Sequence, residues 1–240
     1  MSVENRSPLP ALTGAEMAAV DRAMFDRCGL DVLQVMEVAG RAVAAWIRSF
    51  HFRGELAGRR IVLLCGPGGN GGDGFVAARY LHGWGAKVVI TVASMPAEES
   101  PTAHNFRVVR TLGIDCVDVL ALSEPESSLI VDGLLGFGGT GEPRGRIAAL
   151  IDWANAQRAP IVAIDNPSGL DATTGEVHAT CIAAQTTITL GLPKTGLLSE
   201  TARGVAGRTI VADIGIPAEA YTAAGLEIPH VIWRADFVEI

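Results

Sequence analysis

Apolar positions along this chain switch repeatedly between the three-to-four spacing of an amphipathic helix and short unbroken runs of strand length. The first two segments are helical. Thr13-Gly14-Ala15-Glu16 has capping-box spacing, in which the Thr hydroxyl and the Glu carboxylate each satisfy a backbone N–H at the helix start, and it predicts a helix over 13–28. Asp31 with Gln34 predicts a second start, for a helix reaching about residue 50. Arg60-Ile61-Val62-Leu63-Leu64-Cys65 is the first unbroken run and reads as a strand buried on both faces. It empties into Gly66-Pro67-Gly68-Gly69-Asn70-Gly71-Gly72-Asp73-Gly74, a loop almost without side chains, and helical spacing resumes at Phe75. Beyond it the pattern predicts a strand over 87–93, a helix opened by Ser100-Pro101 and ending near 113, and strands over 114–120 and 129–132. A glycine-rich loop over 133–145, a helix including 148–157, and strands over 161–164, 186–190 and 209–213 complete it. Two helices thus precede the first expected strand, and the alternation that follows implies an α/β fold with a doubly wound, mostly parallel sheet and helices on both faces.

Four of these strands hand over at their C-terminal ends to polar or glycine-rich segments: 66–73, 132–141, 165–171 and 191–196, the last carrying Lys194. In an open parallel sheet those ends share one edge, and ligands bind in the crevice there. A single carboxylate or lysine at a strand end can instead cap a helix or bridge to a neighbour; four such ends together point to a site. A bare glycine loop ahead of a helix N-terminus suits a phosphate or another anion, because backbone N–H groups approach closely where no Cβ intervenes. Gly66-x-Gly68-x-x-Gly71 matches the dinucleotide fingerprint formally. The next strand, however, runs into Ser94-Met95-Pro96 rather than the acidic residue that would hold a ribose, and Gly72-Asp73 stands where a P-loop has Lys-Ser/Thr. Asp73 beside a bare phosphate is unfavourable unless a cation or a ligand hydroxyl accompanies it. Asn70, Asp132 and Ser168 offer oxygens to a hard cation, and with so few full carboxylates the set suits a monovalent ion better than calcium. His51, His82, His104, His178 and His230 have no metal-ligand spacing, and Ser168 lacks the Gly-x-Ser-x-Gly setting of a hydrolase nucleophile.

Composition narrows the setting. A 240-residue chain with 49% hydrophobic and 19% charged residues is long enough for one large α/β domain spanning 1–240. The formal charge of -7, with Lys and Arg scattered, leaves no footprint for nucleic acid and disfavours membrane surfaces. The polar N-terminus lacks the apolar core of a signal peptide, and no apolar stretch approaches the roughly 20 residues needed to span a bilayer, so a cytoplasmic location is expected. Cys28, Cys65, Cys116 and Cys181 lie far apart within apolar runs and read as buried free thiols.

Five stretches carry a resemblance, in order, to the NAD(P)H-hydrate epimerase family, also called the YjeF N-terminal domain. They are the 66–74 glycine motif, Val131-Asp132-Gly133-Leu134-Leu135-Gly136, Ala163-Ile164-Asp165-Asn166-Pro167-Ser168-Gly169-Leu170-Asp171, Pro193-Lys194-x-Gly196 and Asp213-Ile214-Gly215-Ile216-Pro217. The resemblance covers about 13–217. It implies a Rossmann-like fold, usually dimeric, that interconverts the R and S epimers of hydrated NADH and NADPH (NADHX and NADPHX) so that a partner ADP- or ATP-dependent dehydratase, separate or fused, can restore the cofactor. NAD(P)HX is then substrate, and no redox cofactor is expected. Gly69, Asn70, Gly71, Gly72 and Asp73 match the family's ligand-binding glycine motif, and Gly136, Phe137, Gly138, Gly139, Thr140, Gly141 and Glu142 its second phosphate-contacting loop. Asn70, Asp132 and Ser168 match its potassium ligands, Asp165 its substrate-contacting aspartate, and Lys194 resembles its lysine near the reacting ring. Asp165 is the candidate acid/base, with Lys194 as an electrostatic or proton-relay partner. The chain departs from the family at Gly69 and Val38, where asparagine is common. The tail, 218–240, resembles the connector that leads into the dehydratase in bifunctional relatives, which fits either a standalone epimerase or a piece of a fusion. The competing readings are a non-catalytic nucleotide-binding or interaction module of the same fold, and an NAD(P)-dependent dehydrogenase, the latter disfavoured by the missing ribose carboxylate.

Overall fold

In chain order the computed structural model, which describes residues 3–5, 9–121, 127–228 and 235–240, runs β1 (Val3–Asn5), α1 (Gly14–Asp26), α2 (Val32–Trp46), β2 (Arg60–Cys65) and α3 (Gly69–Gly83). It continues through β3 (Lys87–Val92), α4 (Pro101–Thr111), β4 (Asp115–Cys116), β5 (Leu129–Gly133), α5 (Gly145–Asn155) and β6 (Ile161–Ile164). The last elements are β7 (Thr186–Leu190), α6 (Glu200–Ala206), β8 (Arg208–Ala212), α7 (Ala218–Ala223) and β9 (Phe237–Glu239). The strands form one sheet in the order β1-β9-β8-β7-β6-β5-β2-β3-β4, every pair parallel except β8 with β9. From β2 the chain adds β3 and β4 on one side, then returns to place β5 to β8 on the other. The strand order therefore reverses between β2 and β5, and the loops leaving those two strands part there to open a crevice.

Alternation along the central strands makes the layers. Ile61, Leu63 and Cys65 enter the larger core beneath α1 to α4, while Val62 and Leu64, one residue out of phase, pack on Leu150, Ile151 and Ala154 of α5. Strands covered on both faces read as unbroken apolar runs, and each fully buried Ile, Leu or Phe contributes about 1.5–3 kcal/mol. Both expected capping boxes are formed: Glu16 N–H donates to Thr13 Oγ1 at 3.2 Å while Thr13 N–H donates to Glu16 Oε2 at 2.7 Å, and Asp31 with Gln34 does the same for α2. Among the described residues no helix is long and apolar enough to cross a membrane.

The doubly wound fold expected from the pattern is the one observed, with differences at particular elements. Helix α3 begins at Gly69 rather than Phe75, so most of the glycine run is its first two turns. Tertiary contact overrides glycine's poor helix propensity there: a Cβ on Gly71 would run into the carbonyl oxygen of Gly66, and one on Gly72 into the Met36 thioether. The 114–120 strand shrinks to Asp115–Cys116, because Asp118 turns the chain by accepting the Leu120 N–H at 3.1 Å. A short strand, β1, precedes the two helices, and within the expected tail Phe237–Glu239 joins the sheet as β9, which lies between β1 and β8 with Phe237 and Val238 buried. His230 lies outside the described residues.

Candidate active site

The crevice between β2 and β5 is a cavity of about 510 Å³. Pro67 to Asn70 at the start of α3 and Leu134 to Gly139 after β5 form its rim; Asp165 and Lys194 line it from the ends of β6 and β7; α1 and α2 cover it with Met17, Asp21, Phe25, Val35 and Met36. Helix α3 presents a glycine N-cap, Gly68, with no side chain capping it, so its free N–H groups and dipole favour an anion at that end of the cavity.

Asp165 follows the last residue of β6 and adopts φ +65, a left-handed conformation that Asp and Asn tolerate better than most side chains. Its N–H still donates to Ile188 O of β7 at 2.8 Å, so the strand pairing carries the chain into the turn. Asp165 Oδ2 accepts the Phe137 N–H at 2.9 Å, and Oδ1 faces the Lys194 ammonium in an ion pair. Lys194 is 1% exposed; its Nζ also donates to Leu190 O at 2.9 Å and Thr189 Oγ1 at 3.2 Å, which uses all three ammonium protons. Leu12, just before α1, clamps this segment: its N–H donates to Pro193 O at 2.9 Å and its carbonyl accepts the Thr195 N–H at 2.8 Å. A buried ion pair repays its desolvation only where further hydrogen bonds hold both partners, and here every ammonium proton and both carboxylate oxygens have one.

Behind the rim lies a second polar group. Asp132, fully buried at the end of β5, accepts Ser168 Oγ–H at 2.7 Å and Ser168 N–H at 2.9 Å, one on each oxygen, and the Leu134 N–H at 3.1 Å. Burial pushes its carboxyl up to about 6 against the opposing pull of those bonds. Asn70 stands close by. The Cβ that Gly136 lacks would fall 3.4 Å from Asn70 Cγ and 3.1 Å from Asp165 Oδ2, so the Gly136 backbone presses directly on both side chains. Both side-chain polar atoms of Asn70 are buried without a hydrogen-bond partner. An unmet amide of this kind costs about 1–3 kcal/mol, which marks a place where a ligand oxygen or a cation completes the shell.

Two further carboxyls enter the cavity. Burial pushes Asp73 well above the ordinary carboxylate range; the charges of Asp165 and Asp21 add to the rise, and Lys194 opposes it. Asp21 is pushed up to about 6, chiefly by burial, with Lys194 and Arg22 opposing and Asp165 adding.

Of the residues singled out in the sequence, Gly69, Asn70, Asp73, Gly136, Phe137, Gly138, Gly139, Asp165 and Lys194 line the cavity. Asp132 and Ser168 lie behind it. Gly71 and Gly72 face inward, where they allow α3 to pack closely, and Thr140, Gly141 and Glu142 lie off the cavity walls. Glu142 caps a neighbouring loop, accepting the Ala179 N–H at 3.0 Å and the Thr180 N–H at 2.8 Å. The helical wall went unread in the sequence, yet it left a signal: Met17, Asp21 and Phe25 recur at four-residue spacing, so Asp21 is a charge set into an apolar stripe.

The glycine run makes a sharp contrast. A Cβ on Gly69 meets nothing within 4 Å, so Gly69→Ala is expected to leave stability unchanged or raise it by up to about 1 kcal/mol. Gly71→Ala drives a methyl into backbone and is expected to cost about 3 kcal/mol, seen as a Tm lower by about 6–12 °C in a thermal melt.

A mostly parallel sheet whose strand order reverses over a largely apolar cavity set with a few polar side chains, with a helix N-terminus at one end, defines a Rossmann-like α/β protein with its ligand site at the switch point. Residues 32–196 match the family described as YjeF-related protein N-terminus, and the chain belongs to that family. An NAD(P)H-hydrate epimerase of Dehalogenimonas lykanthroporepellens is 36% identical over 217 residues, covering 90% of this chain and 86% of the relative. The bifunctional NAD(P)H-hydrate repair enzyme Nnr of Salinibacter ruber is 39% identical over 224 residues. That match takes in 87% of this chain but 41% of the relative, so the chain spans about two-fifths of the length of such bifunctional proteins. The crystal structure of the yeast protein ynu0 superposes with a TM-score of 0.81 at 25% identity, covering 97% of this chain and all of that one.

Proposed function

We propose that this protein interconverts the R and S epimers of hydrated NADH and NADPH, an isomerase activity in nicotinamide nucleotide repair. The observation that carries the proposal is the buried Asp165–Lys194 pair, held at the cavity wall by a left-handed turn and by hydrogen bonds to both partners, beside a helix N-terminus fit for phosphates. Similarity to relatives named NAD(P)H-hydrate epimerase, covered over most of their length, supports it. The reacting carbon bears a hydroxyl and a ring nitrogen, so the reaction needs no electron transfer. Protonating the hydroxyl lets water leave as the nitrogen lone pair forms an iminium, and water then returns on the other face. Asp165 exchanges the proton with the hydroxyl or the incoming water, while Lys194 fixes the carboxyl's position and the local charge. The start of α3 and the Gly136 loop hold the phosphates. Chromatography that resolves the epimers tests the reading: one purified epimer incubated with the protein relaxes to the equilibrium mixture faster than in a protein-free control, and equal rates in the two reject it.

A potassium ion belongs to the same proposal. Asn70 Oδ1, the Asp132 carboxylate and Ser168 Oγ fit it, because Asn70 has a buried, unpartnered amide oxygen and Asp132 adds a single full charge. Bound there, the ion supplies a fixed positive charge beside the phosphate-binding rim. KCl is expected to raise Tm relative to choline chloride at equal ionic strength, by about 2.7 kcal/mol of stabilisation at a hundredfold excess over Kd, and Asn70→Ala is expected to abolish the difference. The proposal extends to a homodimer, checked by light scattering, acting in the cytoplasm beside an ADP- or ATP-dependent dehydratase that consumes one epimer.

A further inference from the structure

We infer that Asp21 is a second catalytic residue of this cavity, transferring a proton at the reacting hydroxyl from the α1 wall while Asp165 acts from the sheet edge. The inference rests on the epimerase reading and deepens it. Epimerisation through an iminium has two faces. A hydroxyl leaves from one and water adds to the other, and a single carboxyl fixed by three donors serves only the face it sees. Asp165 is so fixed, by Lys194, by the Phe137 N–H, by a long 3.4 Å approach of the Leu190 N–H and by its own strained turn. Asp21 lines the same cavity from another wall, and among the described residues no hydrogen bond or ion pair holds its carboxyl. The segment before α1 is clamped to the one that carries Lys194, so the spacing between the two walls is set by backbone hydrogen bonds.

The charges around Asp21 suit a proton carrier. Arg22 adjoins it on α1, Asp73 faces it from α3, Asp165 and Lys194 from the ends of β6 and β7, and Tyr221 from α7. Their sum, with burial, brings the carboxyl into the range where it both gives and takes a proton near neutrality. Asp73 differs from it, because burial and the charges of Asp165 and Asp21 hold its carboxyl well above the ordinary range. In one direction protonated Asp21 gives its proton to the hydroxyl, the C–O bond breaks, water departs with the bonding pair, and the ring nitrogen supplies the electrons of the iminium. Water then adds from the other face, its oxygen forming the new C–O bond as ionised Asp165 takes its proton. One proton has moved from Asp21 to Asp165. The reverse conversion, starting from the other epimer, returns it, as does exchange with solvent.

The experiment uses the full chain, a resolved epimer and three proteins: parent, Asp21→Asn and Asp21→Glu. Asp21→Asn is expected to lower kcat about a hundredfold or more with KM changed only a few-fold, and Asp21→Glu to recover part of the loss. For the epimer that Asp21 protonates, the parent's kcat/KM falls as pH rises through the Asp21 ionisation, and Asp21→Asn loses that limb. A folded Asp21→Asn within about threefold of the parent, with the same pH profile, overturns the inference and leaves the epimerase reading standing; a parent that does not convert the epimers overturns both. Should Asp21→Asn fail to fold, ¹³C NMR of the Asp21 carboxyl in the parent decides, since a group that titrates as an ordinary exposed carboxylate with no matching limb in the rate profile overturns the assignment.

Discussion

Asp165→Asn is expected to lower kcat for epimerisation by about 10²–10⁴-fold while leaving a folded protein. The replacement keeps the shape of the side chain, and Asn tolerates the φ of +65 that this position requires. Its amide oxygen still accepts from Lys194 or from the Phe137 N–H, but the amide nitrogen faces the other donor and the ammonium loses its counter-charge, so stability falls by about 3 kcal/mol while proton transfer by this side chain is lost. Circular dichroism and thermal melting separate the two effects. A folded Asp165→Asn that epimerises NADHX as fast as the parent removes Asp165 from the chemistry.

The largest expected effect on stability is Lys194→Met. Methionine fills the volume, but Asp165 is then left buried without its counter-charge, and the lost bonds to Leu190 O and Thr189 Oγ1 go unreplaced. Breaking a buried pair from one side costs about 3–5 kcal/mol. Urea unfolding is expected to show that loss in the midpoint with little change in slope, because the same surface is exposed on unfolding. A Lys194→Met protein as stable as the parent at neutral pH contradicts the buried-pair description.

These two residues were legible in the sequence because each ends an apolar strand, and a parallel sheet gathers strand ends that are far apart along the chain. The same logic located Asp132 and Ser168, which bond to one another across 36 positions. What the sequence concealed has physical reasons. The start of α3 was misplaced because propensity forbids what packing requires: glycines open the helix so that it can lie against the Gly66 backbone and Met36. Glu142 lies in a glycine-rich loop expected to meet phosphate, yet the 179–180 backbone claims its carboxylate, a pairing that no local pattern announces. The helical wall was missed because its residues look like ordinary core; only the charge of Asp21 within the Met17 to Phe25 stripe sets it apart. Gly69, one of the departures from the family, sits over open space, whereas the other, Val38, is 45% exposed on α2 and off the cavity. Neither touches the Asp165–Lys194 pair.

The central claim is that the cavity reverses configuration at one carbon by losing and regaining water. Its most direct test is to incubate a single resolved epimer of NADHX with the protein in H₂¹⁸O and analyse the products by chromatography and mass spectrometry. The opposite epimer is expected in amounts rising to equilibrium, carrying ¹⁸O at the reacting carbon, with no oxidised or reduced nucleotide formed. A starting epimer that persists unchanged in the presence of folded protein and potassium contradicts it.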